Sequence, residues 1–150
     1  MTSTDAPPTI ALLAQYVRDL SFEHPDAPHS LKYASDAVPT VDVEVTYRQL
    51  EADVFETILK VTASAKTADK TVAIVELSYG GTYRVPPVVS EMRESFLMVD
   101  APKDLFPFAR AIIGLVTQMA GIPPLLIAAP DFANSYRMSL QRSLNAQLPA

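Results

Sequence analysis

The chain has 150 residues, of which 49% are hydrophobic and 19% charged, so it has enough apolar material for the core of one compact domain. Its net charge is −5, which argues against a nucleic-acid partner, since such proteins usually present a basic surface. The absence of cysteine excludes disulfides, thiolate metal sites and cysteine nucleophiles. We see neither a signal peptide nor an apolar run near the roughly 20 residues of a membrane span, and we expect a cytoplasmic protein with no direct membrane insertion.

The first half of the chain predicts four antiparallel strands at residues 10–23, 41–46, 52–64 and 71–79, joined by short connections. In the first strand one parity comprises Leu12, Ala14, Tyr16, Leu20 and Phe22, and the other comprises Gln15, Asp19, Ser21 and Glu23. Pro25 and Pro28 end this strand, and we expect Gly80-Gly81 to interrupt the fourth.

The second half predicts helices. One helix covers residues 90–99 and is broken at Asp100-Ala101-Pro102, a longer one covers about 105–120, and Asp131 caps a last one. The long helix carries two apolar stripes: Phe108, Ile112, Leu115 and Met119, and Leu105, Ala109, Ile113 and Val116. The pattern predicts an α+β fold in one domain over residues 1–150, with a four-stranded antiparallel sheet, helices packed after it, and short flexible termini at about 1–9 and 145–150.

The fourth strand carries large aliphatic residues on both faces. Ala73, Val75, Leu77 and Tyr79 lie on one face, whereas Val72 and Ile74 lie on the other with Glu76 and Ser78. Either the helices cover both faces or the sheet packs on a copy of itself. We favour the copy, because there are few helices and symmetric association commonly covers such surfaces.

The sequence contains little that resembles catalytic chemistry. His24 and His29 lie in a proline-broken loop without metal-site spacing, and we find no nucleophile elbow or nucleotide-binding loop. Asp19 and Glu23 would lie about 13 Å apart on an extended strand, which is too far for the paired carboxylates of a glycosidase. We expect no enzyme, no metal site and no cofactor.

Several segments taken together resemble the SecB family of bacterial protein-export chaperones. They are RDLSFE at 18–23 with PDAP at 25–28, VAIVELSYGG at 72–81, LFPFAR at 105–110, and the loop from Pro123 through APDF at 129–132. The resemblance spans roughly residues 10 to 144, with the elements in order. The uncharged last eight residues differ from family members that have longer acidic or glycine-bearing tails, which puts a second motor contact in doubt.

The resemblance implies an ATP-independent holdase that keeps secretory precursors unfolded and passes them to the SecA motor ATPase. It implies a homotetramer built as a dimer of dimers, with Val75, Leu77 and Tyr79 at the subunit-assembly face. It assigns the SecA contact to Asp19, Glu23, Asp26, Ile74 and Glu76. The metal of the motor's basic, zinc-bearing tail would belong to that tail.

Unfolded preproteins would bind along an apolar groove formed by the second strand, the long helix and the loop at 121–131. Each of the expected lining residues is also a candidate for the core; they are Val41, Val43, Phe106, Phe108, Ile122, Leu125, Leu126 and Tyr136.

Two other functions remain open. One is a SecB-like chaperone dedicated to a single client such as an antitoxin, and the other is a carrier or enzyme that holds a small ligand in an apolar pocket. The presence of Asp19, Glu23 and Glu76 favours the export chaperone over the dedicated one, because a dedicated chaperone need not keep the motor contact. A closed cavity inside one protomer would favour the carrier.

Overall fold

The protein is described by a computed structural model that covers residues 9–87 and 90–149. Within these residues, four strands form one antiparallel sheet in the order β1-β4-β3-β2, which confirms the predicted fold class. The strands are β1 (Ala11–Glu23), β2 (Val38–Glu51), β3 (Val54–Lys66) and β4 (Thr71–Arg84).

The glycine pair does not interrupt β4. Gly80 pairs with Tyr16 on one side and Ile58 on the other, and the strand continues to Arg84. Both glycines have extended backbone conformations, so the expected change of direction is wrong. The absence of a side chain at Gly80 serves a close approach instead, because a Cβ there would lie 2.8 Å from the Tyr16 ring and 2.9 Å from Ile58.

The helical half begins with α1 (Ser90–Ser95), a π-helical turn (Phe96–Asp100) and α2 (Ala101–Met119), which follow one another directly. The predicted break at Asp100-Ala101-Pro102 is therefore wrong. Pro102 lies in the first turn of α2, where its missing N–H is best tolerated.

The last helix, α3 (Phe132–Gln147), begins at the predicted cap. The Asp131 carboxylate accepts a hydrogen bond from the Asn134 backbone N–H at 3.0 Å. The helix extends to Gln147 and so includes the first residues of the segment 145–150, which was expected to be flexible. Of the two expected flexible termini, residues 1–8 and 150 lie outside the described residues.

The core lies between α2 and one face of the sheet, which we call the inner face; the opposite one is the outer face. Alternate residues of β3 and β4, including Leu59 and Leu77, are buried against Leu105, Ala109 and Ile113 of α2. This packing explains one of the two apolar stripes of α2, because Leu105, Ala109 and Ile113 close the core. The other stripe stays exposed, with Leu115 59% and Met119 80% accessible.

One face of β4 carries the three residues that the resemblance assigns to the subunit-assembly face. Val75, Leu77 and Tyr79 are only 1%, 0% and 6% exposed within the single chain, because α2 covers them. They pack against α2 within the single chain and have little exposed surface to offer another subunit. Val72 also joins the core, since a register shift near Ala65 turns it inward, so of the two aliphatics expected on the outer face only Ile74 lies there.

Strand β1 contains two irregularities in its pairing with β4, between Leu12 and Ala14 and between Val17 and Asp19. Each inserts one residue and reverses which parity faces outward. Tyr16 therefore lies on the outer face although Leu20 and Phe22 pair with inner-face residues, so the expected common side for these three is wrong. The second insertion, at Arg18, allows Tyr16 and Asp19 to share one face.

Candidate functional site: an acidic sheet face and an apolar groove

Cross-strand pairing between β1 and β4 gathers acidic side chains on the outer face. Glu23 pairs with Ile74, Ser21 with Glu76, and Asp19 with Ser78. Directly opposed residues have Cβ atoms about 5 Å apart on the same face. Four of the five residues expected to contact the motor, namely Asp19, Glu23, Ile74 and Glu76, therefore lie together.

Strand β2 extends this surface. Residues that pair directly across the four strands form rows. Asp42 lies in the row of Glu76, and Glu44 lies in the row of Ser78, where the β3 residue between Glu44 and Ser78 is Lys60. We call this exposed region the acidic half; its carboxylates are Asp19, Glu23, Asp42, Glu44 and Glu76. The alternation in VDVEVT separates these acids from the valines. Their position beside Glu76 could not be predicted, because alternation does not reveal which strands are neighbours.

The other end of the outer face holds a buried carboxylate. Glu56 is 4% exposed and accepts hydrogen bonds from the Tyr16 hydroxyl and from Arg48 Nε, the latter at 2.8 Å. Arg18 Nη1 lies 3.5 Å from the same carboxylate. The Tyr16 ring crosses the sheet over Gly80 to make this contact. We call Arg18, Arg48 and Glu56 the arginine cluster.

Ionisation of these groups follows from their contacts. Burial favours the neutral form of Glu56, yet the hydrogen bonds from Tyr16 and Arg48 outweigh it and hold the pKa of Glu56 below its usual range. Burial and the bond to Glu56 raise the pKa of Tyr16 to about 12. Glu56 is therefore a carboxylate, and Tyr16 a neutral phenol, at physiological pH.

Asp26 lies apart from the acidic half, in the turn after β1. It accepts a hydrogen bond from the Tyr33 hydroxyl and lies 3.8 Å from Lys70 Nζ. The hydrogen bond from Tyr33 lowers the pKa of Asp26. Its carboxylate thus connects this turn to the β3–β4 connection.

An open apolar groove runs beside the β2 edge. Val41 and Val43 line it together with Leu126, which is 84% exposed, and its volume is about 560 Å³. Val43 also lines the next depression, of about 360 Å³, together with Tyr136 of α3. Four of the expected client-binding residues, Val41, Val43, Leu126 and Tyr136, therefore form one continuous surface.

The remaining expected groove residues belong elsewhere. Ile122 and Leu125 are 5% and 9% exposed and belong to the core. Phe106 is also buried, against Phe132, and it lines a cavity of about 270 Å³ that adjoins the groove, since Pro130 lines both. Phe108 points to a different side of α2 from Phe106, because residues two apart on a helix do not share a face. Its ring stacks on Tyr79 at a ring-centroid distance of 6.2 Å.

The described residues contain no group of three or more His, Cys, Asp or Glu side chains suited to a metal ion. The His24 ring nitrogen lies 2.6 Å from Ser30 Oγ, so this histidine stabilises its own loop. In the part of the chain that the structure covers, no helix has the length and apolarity to cross a membrane.

Comparison with known proteins agrees with this architecture. A family model described as preprotein translocase subunit SecB matches residues 3–143. The chain belongs to the SecB family. It is 40% identical over 145 residues to the protein-export protein SecB of Parvibaculum lavamentivorans, covering 95% of this chain and 86% of that one. It is 44% identical over 134 residues to the SecB of Rhizobium johnstonii, covering 87% and 82%.

A solved structure supports the SecB fold. It is a SecB-like chaperone of Mycobacterium tuberculosis in complex with a peptide from an antitoxin, and it matches with a TM-score of 0.69 at 14% identity. The match covers 81% of this chain and 90% of that one. At this identity the likeness shows the fold alone.

Proposed function

We propose that the protein is an ATP-independent export chaperone that binds unfolded secretory precursors in the cytoplasm, keeps them translocation-competent and delivers them to the SecA motor. The observation that carries this proposal is the acidic half of the outer face, which gathers Asp19, Glu23, Ile74 and Glu76. Membership of the SecB family supports it, since relatives across the family are named protein-export proteins.

The acidic half suits a basic partner segment. Five exposed carboxylates against one lysine produce a negative field that attracts cations and speeds encounter, with strong sensitivity to salt. Ile74 adds a partly exposed apolar contact among them. The basic tail of SecA would bind here. Asp26 would contribute only by giving up its bonds to Tyr33 and Lys70.

The groove beside β2 suits an unfolded client. Its lining includes exposed aliphatic side chains such as Leu126, and burying apolar area releases about 25 cal/mol per Å². Such contacts need no defined client sequence. Repetition over several subunits would increase the affinity through avidity.

A homotetramer built as a dimer of dimers would cover the remaining apolar surface. The exposed stripe of α2, with Leu115 and Met119, adjoins the inner face of β1, where Phe22 lines the same depression. A helix face of this kind is commonly buried by a second copy in a symmetric oligomer. The buried residues Val75, Leu77 and Tyr79 would influence assembly indirectly, by positioning α2.

Charge reversal tests the motor contact. The double variant Asp19→Lys/Glu76→Lys should lose binding to SecA and to its C-terminal peptide by at least tenfold, whereas suppression of client aggregation persists. The matched control Glu51→Lys/Glu91→Lys changes two exposed acids outside the acidic half and should bind normally. Unchanged SecA affinity in the first variant would refute the assignment.

The second candidate is a chaperone dedicated to one client such as an antitoxin. It is favoured by the solved SecB-like chaperone that holds an antitoxin peptide. Both functions would use the groove, so SecA binding separates them: a dedicated chaperone would hold its client but ignore the motor. A small-ligand carrier would need a closed cavity, whereas the two depressions that form the groove are open to solvent.

A further inference from the structure

The outer face of the sheet has two halves of unlike charge. The acidic half ends at the row of Asp19 and Glu44, and Arg48 and Glu56 lie two rows beyond it. The row between them is uncharged and includes Tyr16, Gly80 and Ile58. Rows on one face are two residues apart, so Glu44 and Arg48 are separated by about 13 Å along β2, whereas Arg18 directly precedes Asp19.

Arg18 is the critical member of the cluster. It directly precedes Asp19, and the irregularity in β1 lets both side chains reach the outer face. An unrestrained guanidinium here would be close enough to pair with Asp19. In the structure Arg18 Nη1 lies 3.5 Å from the Glu56 carboxylate instead, with 48% of the Arg18 side chain exposed.

Glu56 is only 4% exposed, so it has little surface with which to bind a partner. A buried carboxylate is costly unless it is paired, and an apolar residue of similar volume often gives equal stability. Stability alone therefore gives little reason for a carboxylate at this position. Glu56 forms ion pairs with Arg48 at 2.8 Å and with Arg18 at 3.5 Å. These two arginines come from the two edge strands of the sheet, β2 and β1, and reach Glu56 on the outer face.

We propose that Glu56 is a positioning residue that draws Arg18 and Arg48 away from the acidic half and so keeps its carboxylates free for a basic peptide. The inference rests on the proposed function, because it concerns the surface assigned to the motor. Without Glu56, Arg18 competes with the incoming cation for Asp19, and Arg48 adds its positive field to the same face. We expect Glu56→Gln to weaken the binding of a basic peptide about three- to tenfold at low salt, with a smaller effect at high salt because exposed charges are screened.

A double-mutant cycle separates positioning from a merely structural role. Peptide affinity is measured for the wild type, Glu56→Gln, Arg18→Gln/Arg48→Gln and the triple variant. If Glu56 acts through the arginines, its replacement matters in the wild type and has no effect once both arginines are gone. If the carboxylate only stabilises the sheet, its replacement will weaken binding equally in both backgrounds, and that result would overturn the inference.

Two controls complete the cycle. Asp53→Asn removes the same charge beside Arg84, whose Nε lies 3.5 Å from Asp53, at the far end of the face; it should leave peptide affinity unchanged. Tyr16→Phe removes a hydrogen bond to Glu56 but leaves the carboxylate to hold the arginines, so it should lower stability and not affinity. If Glu56→Gln does not fold, Glu56→Asp is compared in the same two backgrounds; its carboxylate is one methylene further from both arginines, so the same pattern with a smaller loss is expected, and an equal loss in both backgrounds would overturn the inference.

Two probes distinguish failure of this inference from failure of the proposed function. One is the zinc-loaded C-terminal peptide of SecA, and the other is an octalysine peptide, which tests the acidic half alone. If octalysine follows the cycle while the SecA peptide does not bind the wild type, the motor contact is wrong and the positioning role stands. If octalysine does not bind the wild type, or binds Glu56→Gln equally well, the positioning role is wrong.

Discussion

Replacing Glu56 with glutamine should destabilise the protein by about 2–3 kcal/mol at neutral pH. A hydrogen bond to a charged group contributes about 1.5–3 kcal/mol, and Glu56 accepts two. The contribution of Arg48 is reduced by solvent, since 59% of its side chain is exposed, and the longer Arg18 contact adds only a few tenths. Glutamine keeps one carbonyl acceptor for Tyr16, which limits the loss.

The difference should depend on pH in a defined direction. The pKa of folded Glu56 lies below the usual value of 4.5, so the folded protein binds fewer protons at this site than the unfolded chain. The stabilisation is complete above about pH 5 and falls as pH decreases through the folded pKa. The two proteins should therefore approach each other in stability as the pH falls below 4.5, and they should converge only below the folded pKa of Glu56.

The difference in the free energy of unfolding between the two proteins is measured by urea unfolding. Circular dichroism follows the transition, because the chain has no tryptophan whose fluorescence could be used. Protein concentration is held constant, since assembly contributes to apparent stability. Glu91→Gln, on exposed α1, is the control and should change stability by less than about 0.5 kcal/mol. Equal stability of the Glu56 variant at neutral pH, or a gap that persists under acid, would refute the reasoning.

Three further predictions concern other parts of the molecule. Gly80→Ala should cost about 1–3 kcal/mol in urea unfolding, because its Cβ displaces the Tyr16 ring; Gly114→Ala, where the nearest atom is 3.9 Å away, is the control, and equal losses would contradict the explanation. Leu115→Asp should reduce the mass measured by light scattering, while Lys103→Asp, at an exposed position on another side of α2, should not; an unchanged mass of Leu115→Asp would exclude this stripe as the interface. Leu126→Asp should weaken suppression of precursor aggregation without lowering stability, since Leu126 is 84% exposed, and Leu148→Asp, 69% exposed outside the groove, should retain it. Normal activity of Leu126→Asp would place the client elsewhere.

The sequence predicted the elements of the fold well where period and composition agree. The alternation in β2 and β3, the capping by Asp131 and the apolar stripes of α2 are local signals, and each appears in the structure. Glycine and proline misled the prediction at two places, because neighbouring structure decides their effect. Gly80 serves the Tyr16 ring, and Pro102 begins a helix instead of ending one.

The candidate site could be predicted only in part. The parity of Asp19 and Glu23 with respect to each other is a local property, and it holds because the irregularities in β1 precede both. The contribution of Asp42 and Glu44 depends on strand order, which alternation does not encode. The burial of Leu77 could not be predicted for a similar reason: period identifies an apolar face but not whether a helix of the same chain covers it.

Strand β2 forms one edge of the sheet and borders the groove. An unfolded chain lying there would have an open row of backbone groups beside it, and such edges readily accept an additional strand. Pro39 has no N–H to donate to an added strand, and the acids Asp42, Glu44 and Glu51 repel a close-packed neighbour. Under the proposed function, the same edge would limit clients to side-chain contacts, which permit release, and would keep them from joining the sheet as the first layer of an aggregate.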